Sequence, residues 1–356
     1  KDGSKIQYFG GKTQAVEKNT RVKARVKAHA LKEFMNTKEK VVVMGHRLPD
    51  ADSFGAAIGI YRAAKTLNKK AYIVIDNPTS SIIPLMNTFR DNQDYEADMF
   101  VNNHEAKEIM DDNTLLVVVD TNKPSITQCE DLLYMAKMIV VLDHHRQGSD
   151  TIRNSVLSYI EPYASSASEM VAEILQYFTE GIRIRNVEAD SIYAGIMIDT
   201  DNFMQKTGVR TFEAAAFLRR CGADVTRVRK LFREDMNDYK ARGETIRNAE
   251  LFRGQFAISE CPSDYVDSPT VVGAQAANEL LNIVGVKASF VLTEYKGVIY
   301  ISARAIDEVN VQIIMERLGG GGHMNASGAQ FNHTDMDEAV ACLKQVIDEM
   351  IEGGDL

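Results

Sequence analysis

Apolar residues in this chain come in short, nearly unbroken runs that end on acids or histidines. "KVVVMGH" spans 40–46, "AYIVID" 71–76, "TLLVVVD" 114–120 and "MIVVLD" 138–143. Continuous rather than alternating apolar runs predict strands buried on both faces, as in a parallel sheet. Between them the apolar spacing becomes helical. Residues 20–36 predict a helix with Val22, Val26, Ala30 and Phe34 on one face. "SFGAAIGIYRAAKTL" predicts another, with Asp52 or Ser53 as N-cap, and "ASEMVAEILQYF" at 167–178 a third. Strands alternating with helices imply βαβ units.

Further along the texture shifts. Residues 211–250 are charged and helical in pattern and read as a connector. From about residue 251 the runs alternate more, and "KASFVLTEYKGVIYISARA" holds a tight turn at Lys296-Gly297, which predicts a hairpin in a second domain. The expected fold is α/β: a Rossmann-like, mostly parallel sheet joined by helices to a smaller α/β domain. The expected boundaries are 1–36 for the end of a preceding domain and a linker helix, 37–210, 211–250 for the linker, and 251–356.

Composition narrows the functional classes. The 356 residues carry a net charge of −9. A long nucleic-acid partner calls for a basic stripe, and the one basic cluster, "RVKARVKAHALK" at 21–32, reads as a solvated helix face. The four cysteines show no CxxC spacing, so neither a thiolate zinc site nor a disulfide framework is expected. No apolar run reaches the roughly 18 residues of a membrane-spanning helix. The opening "KDGSKIQYFGGKTQAVEKNT" reads like the end of another domain, so the expectation is a fragment of a longer protein.

The strand ends carry the chemistry. His46, Asp50 and Asp52 follow the first run, Asp120 ends another, and Asp143, His144 and His145 end "MIVVL". A later apolar run, "YAGIMID", ends in Asp199. Ligands of open parallel sheets bind outside the carboxyl ends of the strands, so these residues are expected along one sheet edge. Mixed carboxylate and imidazole donors suit divalent ions such as Mn²⁺. The six residues His46, Asp50, Asp52, Asp120, His144 and Asp199 exceed what one ion needs. Two ions sharing a carboxylate account for them, a pairing used in phosphoester hydrolysis. Four carboxylates offset two divalent charges, so an anionic substrate meets a locally neutral site.

"GHRLPDADSFGA", "VVVDT", "LDHH" and "GIMIDTDNF" resemble the four motifs of the DHH phosphoesterase family. The resemblance implies that His46 and Asp50 hold one manganese ion, that Asp52, His144 and Asp199 hold the other, and that Asp120 bridges them. Asp143 then orients a histidine, and His145 faces the phosphate or its leaving oxygen. "RLGGGGHMNASGAQF" at 317–331 resembles the glycine motif of the DHH-associated substrate domain, with Ser327 in place of an expected alanine. It implies phosphate contacts from Gly320, Gly321, Gly322 and His323, with Arg304, Ser302 and Asn310 nearby. "EPYASSASEM" is also typical of the family; its Ser165, Ser166 and Ser168 either cap the next helix or help its N-terminus hold a phosphate.

Within the family, this segment and the opening stretch resemble the membrane-anchored cyclic-di-AMP phosphodiesterases. That implies a cytoplasmic catalytic domain, itself out of contact with the membrane, which opens a cyclic dinucleotide to linear pApA and is able to form a homodimer. Two readings stand beside it: an oligoribonuclease and 3′-phosphoadenosine-phosphate phosphatase, and a nucleotide sensor that binds without cleaving.

Overall fold

The computed structural model describes residues 14–233, 235–306, 309–332 and 334–354, with side chains from Arg21 onward. The expected remnant of a preceding domain therefore lies largely outside the described residues. The chain divides into two compact units on either side of Arg233.

The first unit is built on a six-stranded sheet of β1 (Lys40–Met44), β2 (Lys70–Val74), β3 (Phe100–Val101), β4 (Thr114–Val119), β5 (Ile139–Asp143) and β6 (Leu157–Ile160). Its order is β3-β2-β1-β4-β5-β6 and every pairing is parallel. The chain winds outward from β1 in one direction and from β4 in the other, so a crevice opens between those two strands at their carboxyl ends. β4 and β5 are buried along their whole length. Their residues alternate between two cores, Val117 and Leu142 on one side, Val118 and Val141 on the other. This burial on both faces is why the sequence shows continuous apolar runs.

Nine helices are described in this unit: α1 (Gln14–Asn36), α2 (Ala51–Thr66), α3 (Ile83–Arg90), α4 (Asn103–Ile109), α5 (Asp131–Met135), α6 (Ala167–Phe178), α7 (Asn186–Asp199), α8 (Val209–Arg220) and α9 (Val225–Leu231). Three details differ from expectation. Helix α1 buries Ala24, Ala28, Leu31 and Met35 and leaves Val22 and Val26 in solvent. Its basic residues tie it down, with Lys23 Nζ 3.1 Å from Glu161 Oε1 and Lys27 Nζ donating to Ser158 O. The N-cap of α2 is Asp50, whose carboxylate accepts from Ser53 N at 2.9 Å. Asp199 ends a helix rather than a strand. Almost all of α7 is buried, so its sequence lacks a polar stripe and looks like a strand from the sequence pattern.

The second unit holds α10 (Met236–Arg247), β7 (Glu250–Phe252), β8 (Phe256–Cys261), α11 (Pro269–Leu280), β9 (Ala288–Tyr295), β10 (Val298–Ala305), α12 (Val311–Arg317), β11 (Gly321–His323), β12 (Ala326–Asn332) and α13 (Met336–Gly353). The helical stretch 211–250 is thus shared: α8 packs on α6 and α7, and α10 on α11 and β8. The sheet runs β11-β12-β10-β9-β8-β7, with only the β8–β9 pair parallel. The hairpin at Lys296-Gly297 is present, and both residues have positive φ (53° and 76°), as a type I′ turn demands. β10 buries Ile299, Ile301, Ala303 and Ala305 and turns Tyr300, Ser302 and Arg304 to the less buried face. Among the described residues no helix is long and apolar enough to cross a membrane.

Candidate metal centre and active site

The crevice between β1 and β4 gathers the acids and histidines. β1 leads to His46, whose backbone bridges to Thr127. β4 leads directly to Asp120, held at a φ of 58° that non-glycine residues seldom adopt. β5 ends at Asp143 and delivers His144 and His145. Asp50 and Asp52 stand at the start of α2, and Asp199 at the end of α7.

Three sets of donor atoms each fall within 4.8 Å: His46, Asp50 and Asp120; Asp52, His144 and Asp199; and Asp120, His144 and His145. His46 Nε2 is 3.3 Å from Asp120 Oδ2 and 3.5 Å from Asp50 Oδ2. His144 Nε2 is 3.3 Å from Asp120 Oδ1, 3.8 Å from Asp52 Oδ2 and 3.9 Å from Asp199 Oδ2. Asp120 is 3% exposed and touches both imidazoles, so it alone links the first two sets.

The donor set fits divalent cations. Two buried carboxylate oxygens, Asp120 Oδ1 and Asp199 Oδ2, accept no hydrogen bond, although buried acceptors are normally satisfied. The Asp52 carboxyl is pushed well above the usual range by burial, then by the charges of Asp120 and Asp199. Asp199 is raised chiefly by burial, against the pull of His144 and Lys206. Excess negative charge and unfilled lone pairs at one point are what a bound cation relieves.

Without metal the imidazoles supply that charge. Burial draws His46 down, but the close carboxylates of Asp120 and Asp50 win and raise it from 6.5 to about 10. His144 behaves alike and rises to about 9, with Asp120 and Asp52 as its main partners. Both folded values exceed the unfolded one, so this stabilisation is complete below about pH 6.5 and is lost as pH climbs through 9 to 10. Metal-free protein should accordingly show a falling urea midpoint between about pH 7 and about pH 10. A midpoint that holds or rises over that range would contradict the ion-paired cluster.

The acid that ends β5 is paired with its neighbour in sequence but one. Asp143 is fully buried, and its Oδ1 accepts from His145 N at 3.1 Å and lies 2.8 Å from His145 Nδ1. It orients His145, not His144. Asn122 Nδ2 donates to the other oxygen of Asp143. Asn122 is not among the residues expected from the sequence; its place two residues after Asp120 in "VVVDTN" is the signal that marks it.

Of the "EPYASSASEM" serines, Ser166 acts as the cap. Ser166 Oγ accepts from Glu169 N at 3.0 Å and starts α6. The helix N-terminus binds a protein carboxylate: Asp52 Oδ2 accepts from Ala167 N at 2.7 Å and Oδ1 from Ser168 N at 2.8 Å. That placement is favourable at a helix N-terminus.

In the second unit four of the expected substrate residues, Ser302, Arg304, Gly321 and His323, share one sheet face, and Gly322 is in register with the other. Directly opposed residues of an antiparallel sheet point the same way. Ser302 pairs with Gly328 and Gly328 with Gly321; Arg304 pairs with Ala326 and Ala326 with His323. Asn310 caps α12, accepting from Gln312 N at 3.1 Å, and Val311 N bonds Met324 O beside His323. Arg304 is half-buried, donates to Ala303 O and has no carboxylate partner among the described residues. The glycine run is not an open loop. Residues 321–323 form a strand, and Gly320 and Gly322 lie against the backbone of β12.

A doubly wound sheet with this edge of acids and histidines, followed by a mixed sheet with a glycine strand, defines the class. Residues 40–196 match the DHH family, N-terminal domain, and residues 256–349 the DHHA1 domain. The chain belongs to the DHH family. It is 44% identical over 98% of its length to the cyclic-di-AMP phosphodiesterase GdpP of Bacillus subtilis, and covers 54% of that protein. It is 39% identical, again over 98%, to the cyclic-di-AMP phosphodiesterase PdeA of Listeria monocytogenes, covering 53%. The chain thus spans about half the length of these curated relatives. The crystal structure of an exopolyphosphatase-related protein from Bacteroides fragilis shares the fold, with a TM-score of 0.75 at 21% identity over 92% of this chain and 96% of that one.

Proposed function

We propose that this chain is a phosphodiesterase that opens cyclic-di-AMP to linear 5′-pApA at two Mn²⁺ ions. The observation that carries the reading is the sharing of buried Asp120 between two imidazole-containing donor sets. The names of relatives at 44% and 39% identity supply the substrate. In this reading His46 and Asp50 hold one ion, Asp52, His144 and Asp199 the other, and Asp120 both. Bound there, two such ions would lower the pKa of a water and offset phosphate charge.

The chain's own groups do the rest. Water attacks phosphorus and gives up a proton to solvent, the P–O3′ bond breaks, and the 3′ oxygen takes a proton from His145. For that step His145 carries a proton on both ring nitrogens: Asp143 accepts from Nδ1, and Nε2–H on the half-exposed ring faces the leaving oxygen. In the second unit, Arg304, Ser302, His323, Asn310 and the backbone of Gly320, Gly321 and Gly322 form the phosphate-binding face. A guanidinium with no carboxylate partner among the described residues, set beside small residues, suits that task.

The test is a direct comparison with Mn²⁺ present. Initial rates on cyclic-di-AMP, a short oligoribonucleotide and 3′-phosphoadenosine-5′-phosphate are measured on one preparation. The expected outcome is accumulation of pApA, with kcat/KM for the cyclic substrate at least about tenfold above the others, a margin of ~1.4 kcal/mol. Faster cleavage of the oligoribonucleotide would move the chain to the oligoribonuclease reading. Tight binding with no turnover would make it a sensor.

A further inference from the structure

Ser168 is fully buried, and the chemistry above makes no use of it. It is the second residue of α6. Its N–H and that of Ala167 fix both oxygens of Asp52, and its Oγ donates to Asp52 O at 3.0 Å. The same Oγ fills a space that two glycines leave open. A Cβ on Gly55 of α2 would lie 2.7 Å from it, and a Cβ on Gly195 of α7 only 2.2 Å. Helix α2 carries Asp52 at its start, and α7 carries Asp199 at its end. One hydroxymethyl group therefore sits beside the crossing of the two helices that bring these carboxylates to His144, where α2 and α7 also meet directly: a Cβ on Gly55 would lie 2.6 Å from Ser191 O, and one on Gly195 3.0 Å from Ala51 O.

The contact has a firm base. Glu169 Oε2 accepts from Ser165 Oγ at 2.5 Å and from Thr211 Oγ1 at 2.6 Å, which joins the first turn of α6 to α8. Arg210 grips Glu173 with two bonds of 2.7 Å. Metal–ligand distances tolerate deviations of only about 0.2 Å, so the spacing of α2 and α7 bears directly on any ion between them. The set of His46, Asp50 and Asp120 has no donor on α7.

We infer that Ser168 is a positioning residue: it sets the separation of Asp52 and Asp199 and thereby the affinity of the divalent ion they share with His144. This rests on the metal-centre reading above.

The experiment is an Mn²⁺ titration followed by the EPR signal of free Mn²⁺, with thermal midpoints in chelator. Wild type is expected to bind two ions. Ser168→Thr and Gly195→Ala should weaken one site by about 10–100-fold, the range for losing a supporting contact, and leave the other within about twofold. Moving the bulk across the contact, in Ser168→Gly with Gly195→Ala, should recover part of what Gly195→Ala loses, because the added Cβ still lies 3.0 Å from Ala51 O. Ser168→Ala adds no volume and serves where Ser168→Thr does not fold. It should weaken the same site about fivefold, as loss of one hydrogen bond does. Equal weakening of both sites in step with the thermal midpoint, or no change at either, would overturn the positioning role. A wild type that binds no Mn²⁺ would overturn the metal reading first, and the role of Ser168 with it.

Discussion

Asp120→Asn should give a folded protein that neither turns over substrate nor gains stability from Mn²⁺. Asparagine matches aspartate in shape and keeps the backbone bond from residue 120 to Leu142 O. It removes the one charge that both imidazoles share. Losing an outer hydrogen-bond partner of a metal site costs ~10–100-fold in affinity or activity; losing a donor common to two ions should exceed that. Opposing effects act on the metal-free fold. His46 and His144 lose a charged acceptor, while Asp52 is freed of a like charge that raises its carboxyl. The metal-free midpoint should therefore stay within about 4 °C, the shift that ~1 kcal/mol gives a domain of this size. Rates with Mn²⁺ and melts with and without chelator decide the matter. Normal turnover would refute Asp120 as the shared donor.

The strand ends were legible in the sequence because the sheet is parallel and covered on both faces. Its strands read as unbroken apolar runs, so the polar residue that ends each one marks the carboxyl edge. The strand ends alone mark His46, Asp120, Asp143 and His144, whatever the helices do. Asp199 escapes this rule, because α7 is buried on nearly every side and carries no polar stripe to show its period. The face of α1 is hidden for a related reason. Val22, Val26, Ala30 and Phe34 recur with helical spacing, but so do Ala24, Ala28, Leu31 and Met35; the second set is fully buried, and of the first only Ala30 and Phe34 pack against the core. Periodicity finds a stripe and cannot choose between two. The partner of Asp143, the carboxylate seated on the N-terminus of α6 and the contact at Ser168 were invisible. Each is a contact between segments remote in sequence, or a choice between adjacent histidines that spacing does not make.

Glycine in "GGGGH" carries two separate meanings, and substitution should separate them. Gly322 has a φ of 146°, and an added Cβ would lie 2.6 Å from Ser327 Cα and 2.7 Å from Ala326 O. Both are backbone-fixed atoms that cannot rotate away. Gly322→Ala should cost the second unit ~1–2 kcal/mol in backbone strain and ~1–3 kcal/mol in overpacking. Gly321 is the opposite case: its φ is ordinary and an added Cβ meets nothing within 4 Å. The fold therefore places no demand for glycine at 321. In register with Gly328 and Ser302, it lies on the face where Arg304 and His323 are expected to hold phosphate. Gly321→Ala should leave the thermal midpoint unchanged and raise KM for the cyclic dinucleotide about tenfold, ~1.4 kcal/mol of lost contact. Paired melts and steady-state kinetics on the two variants provide the check. If alanine at 321 destabilised the unit while alanine at 322 spared it, the strand geometry assigned to this motif would be wrong. If alanine at 321 changed neither quantity, the substrate would lie elsewhere on the unit.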